Sequence, residues 1–417
     1  MINKKVMIGI LMIVALAFTG CSIENKVPID QGQENTQKST ENGTKKPEEI
    51  DPIKEQIDKM TLNEKIGQMI IVGLDGYEMD DNTRNMIEKY QVGGFILFSK
   101  NIKDTEQLLA LNNSLKIMNS KNKTPLFISI DEEGGRVSRM PKKLKKLPTN
   151  REIGKVNNGD FSYKIGGILA EEVKSFGFNM DFAPVLDINS NPKNPVIGDR
   201  SFGSSPEIVS KLGVKTIKGI QAGGVIPVVK HFPGHGDTAI DSHVGLPSVN
   251  KDLDKLEGFE LIPFETAIKN NAEAVMVAHI LMKKIDSENP ASLSKTIITD
   301  ILRERLNFNG VVFTDDMTMG AIVENYKIEE AAVQSVNAGV DIVLVCHGQD
   351  NEIAVIEALR KAVEEGTISE ARVDESIYRI LKLKNKYNVT DKTIKSVDVE
   401  AINNKIEEIL DEYQRSR

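Results

Sequence analysis

The segment KHFPGHGDTAIDSHVGLP, residues 230–247, concentrates side chains suited to acid–base or metal chemistry. It holds three of the five histidines of the chain, with two aspartates, two prolines and three glycines, in eighteen residues. This composition is too polar for a core and too irregular for a helix. We therefore predict a long loop whose polar side chains are available for chemistry.

One interpretation of this loop is proton transfer by a histidine and a carboxylate. Asp241 and His243 are two residues apart, and a carboxylate bonded to an imidazole fixes its tautomer and stabilises its protonated form. Such a pair would supply a proton donor near neutral pH. The same Asp-Ser-His sequence is also compatible with an ordinary turn in which Asp241 caps the backbone.

A metal site is the other chemistry that this loop suggests. His231, His235, Asp237 and His243 are all possible ligands. Their spacing matches no tetrahedral zinc pattern, however, and no cysteine is close to them. We therefore expect no metal here.

A second candidate site is the segment FTDDMTMGAI, residues 313–322, where a predicted strand ends in two adjacent acids. An unpaired carboxylate in an apolar interior is costly, so one of the two acids is expected to meet the reacting centre. Since neighbouring side chains on a strand point to opposite sides, periodicity alone does not choose between Asp315 and Asp316. Asp316 is also a candidate for capping the following turn.

The elements that would position these residues alternate between short apolar runs and amphipathic stretches. The runs begin at eight positions: Ile66, Gly93, Pro125, Asn179, Val225, Ala272, Gly310 and Asp341. Eight buried strands, each followed by a helix, in about 300 residues match a (β/α)8 barrel that forms a single catalytic domain. A doubly wound open sheet is the alternative that the same alternation permits.

Polar residues lie at or just past the predicted carboxyl ends of these strands. They are Asp131, Asp187, Lys230, His231, His279, Asp315 and Asp316. In a barrel all seven would face one mouth, where active sites of this fold are built. Together they are difficult to explain by solubility alone.

Composition limits the partners of the chain. Lys and Arg number 53 against 61 for Asp and Glu, and the net charge of −8 predicts no nucleic-acid partner. Trp is absent, so a sugar pocket would depend mainly on hydrogen bonds. Cys346 lies in the apolar run DIVLVC and is expected to be a buried, inert thiol.

The amino terminus predicts export and anchoring. A basic start (residues 1–5) and an apolar run (residues 6–18) lead to FTGC, and the whole resembles a bacterial lipoprotein signal peptide of residues 1–20 with Cys21 as the lipidated residue. A plain secretory signal is the alternative. Residues 21–50 are polar and are expected to form a disordered tether. We thus expect an extracytoplasmic protein with a lipid anchor in the cell membrane.

Four motifs together resemble a known family. They are DEEGGRVSR (131–139), IGDRSFG (197–203), KHFPGHGDTAIDSH (230–243) and FTDDMTMGAI (313–322). In this order they closely resemble the bacterial β-N-acetylglucosaminidases of glycoside hydrolase family 3, the type that trims muropeptides. The resemblance extends over residues 53–387, and the long histidine motif is its most specific part.

The resemblance implies a role for each matching residue. Asp315 resembles the nucleophile, His243 the general acid/base, and Asp241 its partner. The residues that match positions holding the terminal sugar are Asp131, Arg139, Arg200, Lys230 and His231. No cofactor is implied, and the expected substrate is an N-acetylglucosamine-containing muropeptide or chitooligosaccharide. For His279 the choice between a sugar contact and structural support stays open.

The implied reaction is double displacement with retention, releasing terminal β-linked N-acetylglucosamine. Because the acid/base is a histidine, which is neutral after it donates its proton, phosphate is a conceivable acceptor in place of water. A family 3 β-glucosidase or β-xylosidase is the competing hydrolase, and a sugar-binding lipoprotein is the competing non-enzyme. We expect a monomer with its catalytic domain at residues 51–390 and a helical tail at 391–417, either packed on the barrel or frayed.

Overall fold

The computed structural model describes residues 51–238, 241–242 and 245–415. The strands are β1 (Ile70–Val72), β2 (Gly94–Leu97), β3 (Phe127–Ile130), β4 (Met180–Asp181), β5 (Ile226–Pro227), β6 (Val229–Phe232), β7 (Ser248–Val249), β8 (Ala274–Val277), β9 (Leu281–Met282), β10 (Val311–Asp316) and β11 (Ile342–Val345). The predicted signal peptide, Cys21 and the tether lie outside the described residues.

Helices follow most strands. They are α1 (Pro52–Asp58), α2 (Leu62–Gln68), α3 (Asp81–Glu88), α4 (Thr105–Asn119), α5 (Asn150–Val156), α6 (Gly159–Ser175), α7 (Pro206–Ala222), α8 (Leu253–Glu257), α9 (Ile262–Lys269), α10 (Gly320–Val323), α11 (Ile328–Ala338), α12 (Gln349–Glu364), α13 (Glu370–Lys386) and α14 (Val399–Arg415). Short 3-10 helices cover Ser99–Asn101, Gly198–Arg200 and Ala291–Leu293, and a π-helix covers Thr296–Arg305. In the described part of the chain, no helix is both long and apolar enough to span a membrane.

Nine of the strands form one parallel sheet in the order β5-β4-β3-β2-β1-β11-β10-β8-β6. Its two end strands, β5 and β6, are consecutive parts of residues 226–232. The first part pairs with β4 and the second with β8, so the sheet closes on itself through this segment. The predicted (β/α)8 barrel is thus confirmed. The run predicted as a single fifth strand forms two short strands because its halves pair with different neighbours, as the stagger of a closed barrel requires.

The barrel strands are buried on both faces, as expected for parallel strands covered by helices. Every residue of β1, β2, β3 and β11 is buried. Phe182 and Phe313 meet edge to face at 5.8 Å between ring centroids. This apolar interior leaves the strand ends as the places where polar side chains reach solvent.

A lysine closes the amino-terminal end of the barrel. The Nζ atom of Lys384, on α13, donates to Oε1 of Gln68 at 2.7 Å and to the carbonyl oxygens of Gly93 at 3.2 Å and Pro125 at 2.6 Å. These three acceptors lie beside the starts of β1, β2 and β3. The last helix of the barrel therefore fixes the beginnings of the first three strands.

The carboxyl-terminal segment forms a helix that packs against the barrel. Ile402 and Ile406 of α14 are buried, and Tyr413 stacks on Phe161 of α6 at 4.5 Å. An ion pair of 2.6 Å joins Lys405 to Glu171, also on α6. Of the two arrangements open for the tail, the structure has the packed one, since its apolar stripe meets α6.

Candidate active site

A cleft of about 390 Å³ opens at the carboxyl-terminal ends of the strands. Seven of the predicted site residues line it: Asp131, Arg139, Arg200, Lys230, His231, Asp241 and Asp315. Each of these residues follows or ends a strand, or lies in the loop after one. The eighth, His243, lies outside the described residues. The structure thus brings together side chains from sequence positions 131 to 315.

The floor of the cleft is a buried network of two cations and two carboxylates. Lys230 contacts Asp131 at 2.5 Å and Glu133 at 2.8 Å through its Nζ atom. Arg200 makes a bidentate contact with Glu133, with Nε–Oε2 and Nη2–Oε1 distances of 2.8 and 2.7 Å. Planar two-point pairing of this kind fixes the guanidinium in one orientation. The network is therefore preformed to hold polar groups of a ligand.

The charges in this network stabilise one another. Burial would raise the pKa of Glu133, but the charges of Arg200 and Lys230 outweigh burial and hold this pKa well below its usual range. Burial would likewise lower the pKa of Lys230, yet Asp131 and Glu133 raise it. Both groups therefore stay charged near neutral pH. Glu133 was not selected from the sequence, although it stands in the motif DEEGGRVSR.

Asp187 lies behind the cleft, not at its mouth as predicted. It is fully buried, and its Oδ2 atom is 2.6 Å from Nδ1 of His231. Burial raises the pKa of Asp187, but His231 first, and then His235, bring it below the ordinary value. The carboxylate holds Nδ1 of His231, so Nε2 is directed to Arg200 at 3.4 Å. Asp187 therefore orients a cleft residue instead of meeting a ligand.

His279 also lies behind the cleft, contrary to the prediction that it faces the mouth. The residue is fully buried, with Nδ1 at 2.6 Å from the Ser292 hydroxyl and Nε2 at 3.0 Å from the carbonyl oxygen of Asp316. Both ring nitrogens are engaged with protein atoms. Of the two roles left open for His279, these contacts favour the structural one, in which the ring holds the end of β10.

The two acids at the end of β10 have different surroundings. Asp316 accepts hydrogen bonds from the amide of Thr318 at 2.9 Å, from the Thr318 hydroxyl at 2.6 Å and from the amide of Cys346 at 3.0 Å. Asp316 therefore caps the following turn. Both acids line the cleft, and the Oδ1 atom of Asp315 accepts from the Asp316 amide at 2.9 Å. The carboxylate of Asp316 is thus engaged by the following turn, and the choice of Asp315 as the reacting acid stays a prediction.

A tight turn places the arginines of the motif DEEGGRVSR. Gly134 and Gly135 have φ angles of +79° and +59°, which side-chain-bearing residues rarely adopt. A Cβ atom on Gly135 would also lie 2.5 Å from Cγ2 of Thr149. The turn leads to Arg139, whose amide donates to Oε2 of Glu132 at 2.7 Å.

Glu132 belongs to a second, deeper set of carboxyl groups. Its amide donates to Oδ1 of Asp181 at 2.9 Å, and both residues are buried. Burial raises the pKa of Glu132 to about 7 and raises that of Asp181 as well. Neither residue lines the cleft, and together they anchor the turn that carries Arg139. Sequence reasoning missed both residues, although Asp181 stands inside the apolar run that begins at Asn179, a position that marks it as buried.

Among the residues that the structure describes, no group of three or more histidine, cysteine, aspartate or glutamate side chains is arranged to hold a metal ion. His243, one of the possible ligands, lies outside these residues. Cys346 is buried, as expected from its apolar run, and burial raises the pKa of its thiol.

Comparison with known proteins finds a matching family model and relatives of similar sequence. A family model described as the glycosyl hydrolase family 3 N terminal domain matches residues 61–383. β-Hexosaminidase A of Pseudoalteromonas piscicida is 38% identical over 325 residues, which are 72% of this chain and 54% of that protein. The chain thus spans about half the length of that relative. A β-hexosaminidase of Methylobacillus flagellatus is 33% identical over 297 residues, 70% of this chain and 84% of that protein.

A solved structure is also similar in sequence and fold. It is a glycoside hydrolase family 3 β-N-acetylglucosaminidase from Paenibacillus sp. str. FPU-7, at 40% identity and a TM-score of 0.80. The similarity covers 84% of this chain and 68% of that chain.

Proposed function

We propose that this chain, which belongs to glycosyl hydrolase family 3, is a glycoside hydrolase of the β-hexosaminidase type. It would release terminal β-linked N-acetylglucosamine from peptidoglycan fragments with retention of configuration. The observation that carries this proposal is that Asp315 and Asp241 line the same cleft as Lys230 and Arg200. One end of the barrel thus carries the proposed sugar-binding residues, the proposed nucleophile Asp315, and Asp241, the proposed partner of the proton donor.

The terminal sugar is held by groups of both hydrogen-bonding types. Lys230 and Arg200 supply N–H donors, whereas Asp131 supplies acceptor oxygens. Since hydrogen bonds to charged groups are stronger than neutral ones, a few of them suffice to orient a hydroxyl-rich ring. This agrees with a chain that has no Trp on which a sugar could stack.

In the first step Asp315 attacks the anomeric carbon and forms a glycosyl ester, while the bond to the leaving oxygen breaks. The hydrogen bond from the Asp316 amide keeps the Asp315 carboxylate oriented. The leaving oxygen takes a proton from His243, whose role rests on the family motif and on the presence of its sequence neighbour Asp241 in the cleft. Water then loses a proton to His243 and hydrolyses the ester.

The other assignments are less consistent with the relatives. Family membership makes a sugar-binding lipoprotein without activity an inadequate description. A family 3 β-glucosidase or β-xylosidase has no support among the relatives named above, which are called β-hexosaminidase or β-N-acetylglucosaminidase. The muropeptide substrate is our proposal, supported by the resemblance of the four motifs.

Product analysis tests this function. With a muropeptide that ends in N-acetylglucosamine, we expect only that terminal sugar to be released, and NMR of the first product should show the β anomer. The reaction is run in phosphate and in a phosphate-free buffer. An α anomer or internal cleavage would contradict the proposal, and N-acetylglucosamine 1-phosphate as the main product would make the enzyme a phosphorylase.

We further propose that Cys21 is lipidated and anchors the enzyme to the outer face of the cell membrane. The support is the signal-peptide pattern of residues 1–20 and the cysteine that follows it. A labelled fatty acid should be incorporated into the wild-type protein, which should sediment with membranes, and both properties should be lost in Cys21→Ala. Cys346→Ala is the matched control, and soluble, unlabelled wild-type protein would contradict the anchor.

A further inference from the structure

His235 is a buried histidine that the mechanism above does not use. The residue is 1% exposed, with Nε2 at 3.1 Å from the Ser242 hydroxyl and Nδ1 at 2.7 Å from Oγ1 of Thr238. Its amide donates to Asp187 at 2.6 Å, and its carbonyl oxygen accepts from Nδ2 of Asn194 at 2.8 Å. Both its ring and its backbone are therefore fixed.

Ser242 is held from two sides. Its hydroxyl meets Nε2 of His235, and its carbonyl oxygen accepts from the amide of Ala321 at 3.1 Å. Ala321 lies in α10, shortly after Asp315 at the end of β10. Ser242 thus connects the loop that follows β6 to the segment that follows Asp315.

We propose that His235 is a positioning residue, which places the acid/base pair by holding Ser242. Ser242 directly follows Asp241 in the chain, so a shift of Ser242 displaces Asp241, the proposed partner of the acid/base. Proton transfer depends steeply on distance, and a misplacement of about 1 Å can cost about 10²-fold in rate. The inference rests on the proposed function, since it concerns the residues to which proton transfer is assigned there.

The protonation state of His235 suits a residue that holds Ser242 in place through hydrogen bonds. Burial first, and then the nearby His231, lower the pKa of His235 to about 4. The imidazole is therefore neutral near pH 7, with one N–H donor and one acceptor nitrogen. The hydroxyls of Ser242 and Thr238 can each donate or accept, so both ring nitrogens are satisfied.

Two substitutions of the same residue separate its two contacts. In His235→Gln the terminal amide lies near the former position of Nε2 and can still reach Ser242. In His235→Asn the amide lies near that of Nδ1 and can reach only Thr238. With a sugar leaving group, we expect His235→Asn to lower kcat/KM about 10²-fold and His235→Gln less than about fivefold. With a dinitrophenyl leaving group, which needs little protonation, His235→Asn should lose less than about tenfold.

A double-mutant cycle completes the test. Ser242→Ala should reproduce the loss seen in His235→Asn, and the double variant should be no worse than either single one, because all three remove one contact. Circular dichroism and melting temperature confirm that each variant is folded. Equal losses in His235→Asn and His235→Gln, or equal losses with both leaving groups, would overturn the positioning role.

Measuring His243→Ala in parallel distinguishes a failure of this inference from a failure of the proposed function. If His243→Ala itself shows no dependence on the leaving group, the acid/base assignment fails, and the positioning role falls with it. If His243→Ala shows this dependence but His235→Asn does not, only the positioning role is refuted.

Discussion

Replacing Asp315 with asparagine is expected to lower kcat/KM by at least about 10⁴-fold, comparable with the loss of a covalent nucleophile in other enzymes. Asparagine keeps the shape of the side chain and can still accept the hydrogen bond from the Asp316 amide. It cannot form the glycosyl ester. The fold should be retained, so the loss of activity should occur without a large change in melting temperature. An aryl N-acetylglucosaminide with a chromogenic leaving group measures the rate.

Asp316→Asn is the matched control, because the two acids are adjacent on one strand and differ in their surroundings. An asparagine at this position can still accept from the amides of Thr318 and Cys346, so activity should stay within about tenfold of wild type, or about 1.4 kcal/mol of barrier. A fluorinated N-acetylglucosamine analogue should trap the ester on Asp315, located by mass spectrometry of the labelled peptide. A larger loss in Asp316→Asn than in Asp315→Asn, or a label on another residue, would refute the assignment.

The second large effect concerns the proton donor. His243→Ala should lower kcat/KM by about 10²- to 10⁴-fold when the leaving group is a sugar, the range typical of general acid catalysis. With a dinitrophenyl leaving group the loss should be less than about tenfold, because this group departs without protonation. The quantity to compare is kcat/KM, which reports the first step. Hydrolysis of the glycosyl ester, the second step, lacks its general base in His243→Ala with either substrate, so kcat would not separate the two leaving groups.

Azide gives an independent check on the same variant. As an anion it needs no general base, so it should accelerate breakdown of the glycosyl ester in His243→Ala and give a glycosyl azide of β configuration. His347→Ala is a suitable control, since His347 lines the cleft and is half exposed but has no assigned role. A loss in His243→Ala that is equal for all leaving groups would exclude it as the acid.

The barrel was predictable because parallel strands buried on both faces leave continuous apolar runs, as in residues 342–345. The division of the fifth run into β5 and β6 was not, because it follows from the closure of the sheet and not from the local sequence. Asp131, Lys230 and Asp315 were found because polar side chains directly after apolar runs stand out. For the same reason Asp187 and His279 were misplaced at the mouth. A sequence shows that a polar residue ends a strand but not which way its side chain turns.

Glu133 and Glu132 show a second limit of prediction from the sequence. Glu133 is recognisable as part of the network only once Lys230, 97 positions later, and Arg200 are beside it. Pairings over such separations depend on the tertiary structure, and an isolated acid in a loop is usually solvated. The candidates for the reacting acid, by contrast, were narrowed to two neighbours by local rules, and the cap formed by Asp316 supports our proposal of Asp315.

The lysine at the amino-terminal end of the barrel has a consequence for the order of assembly. Its three acceptors are 316, 291 and 259 residues earlier in the chain. During synthesis the first three strands are complete long before α13 exists, and contacts of such high separation form late because closing the intervening chain costs entropy. We therefore expect chains that end before residue 384 to lack these three hydrogen bonds and to be cleaved readily by proteases. The barrel reaches its protected state only after its last helix has emerged.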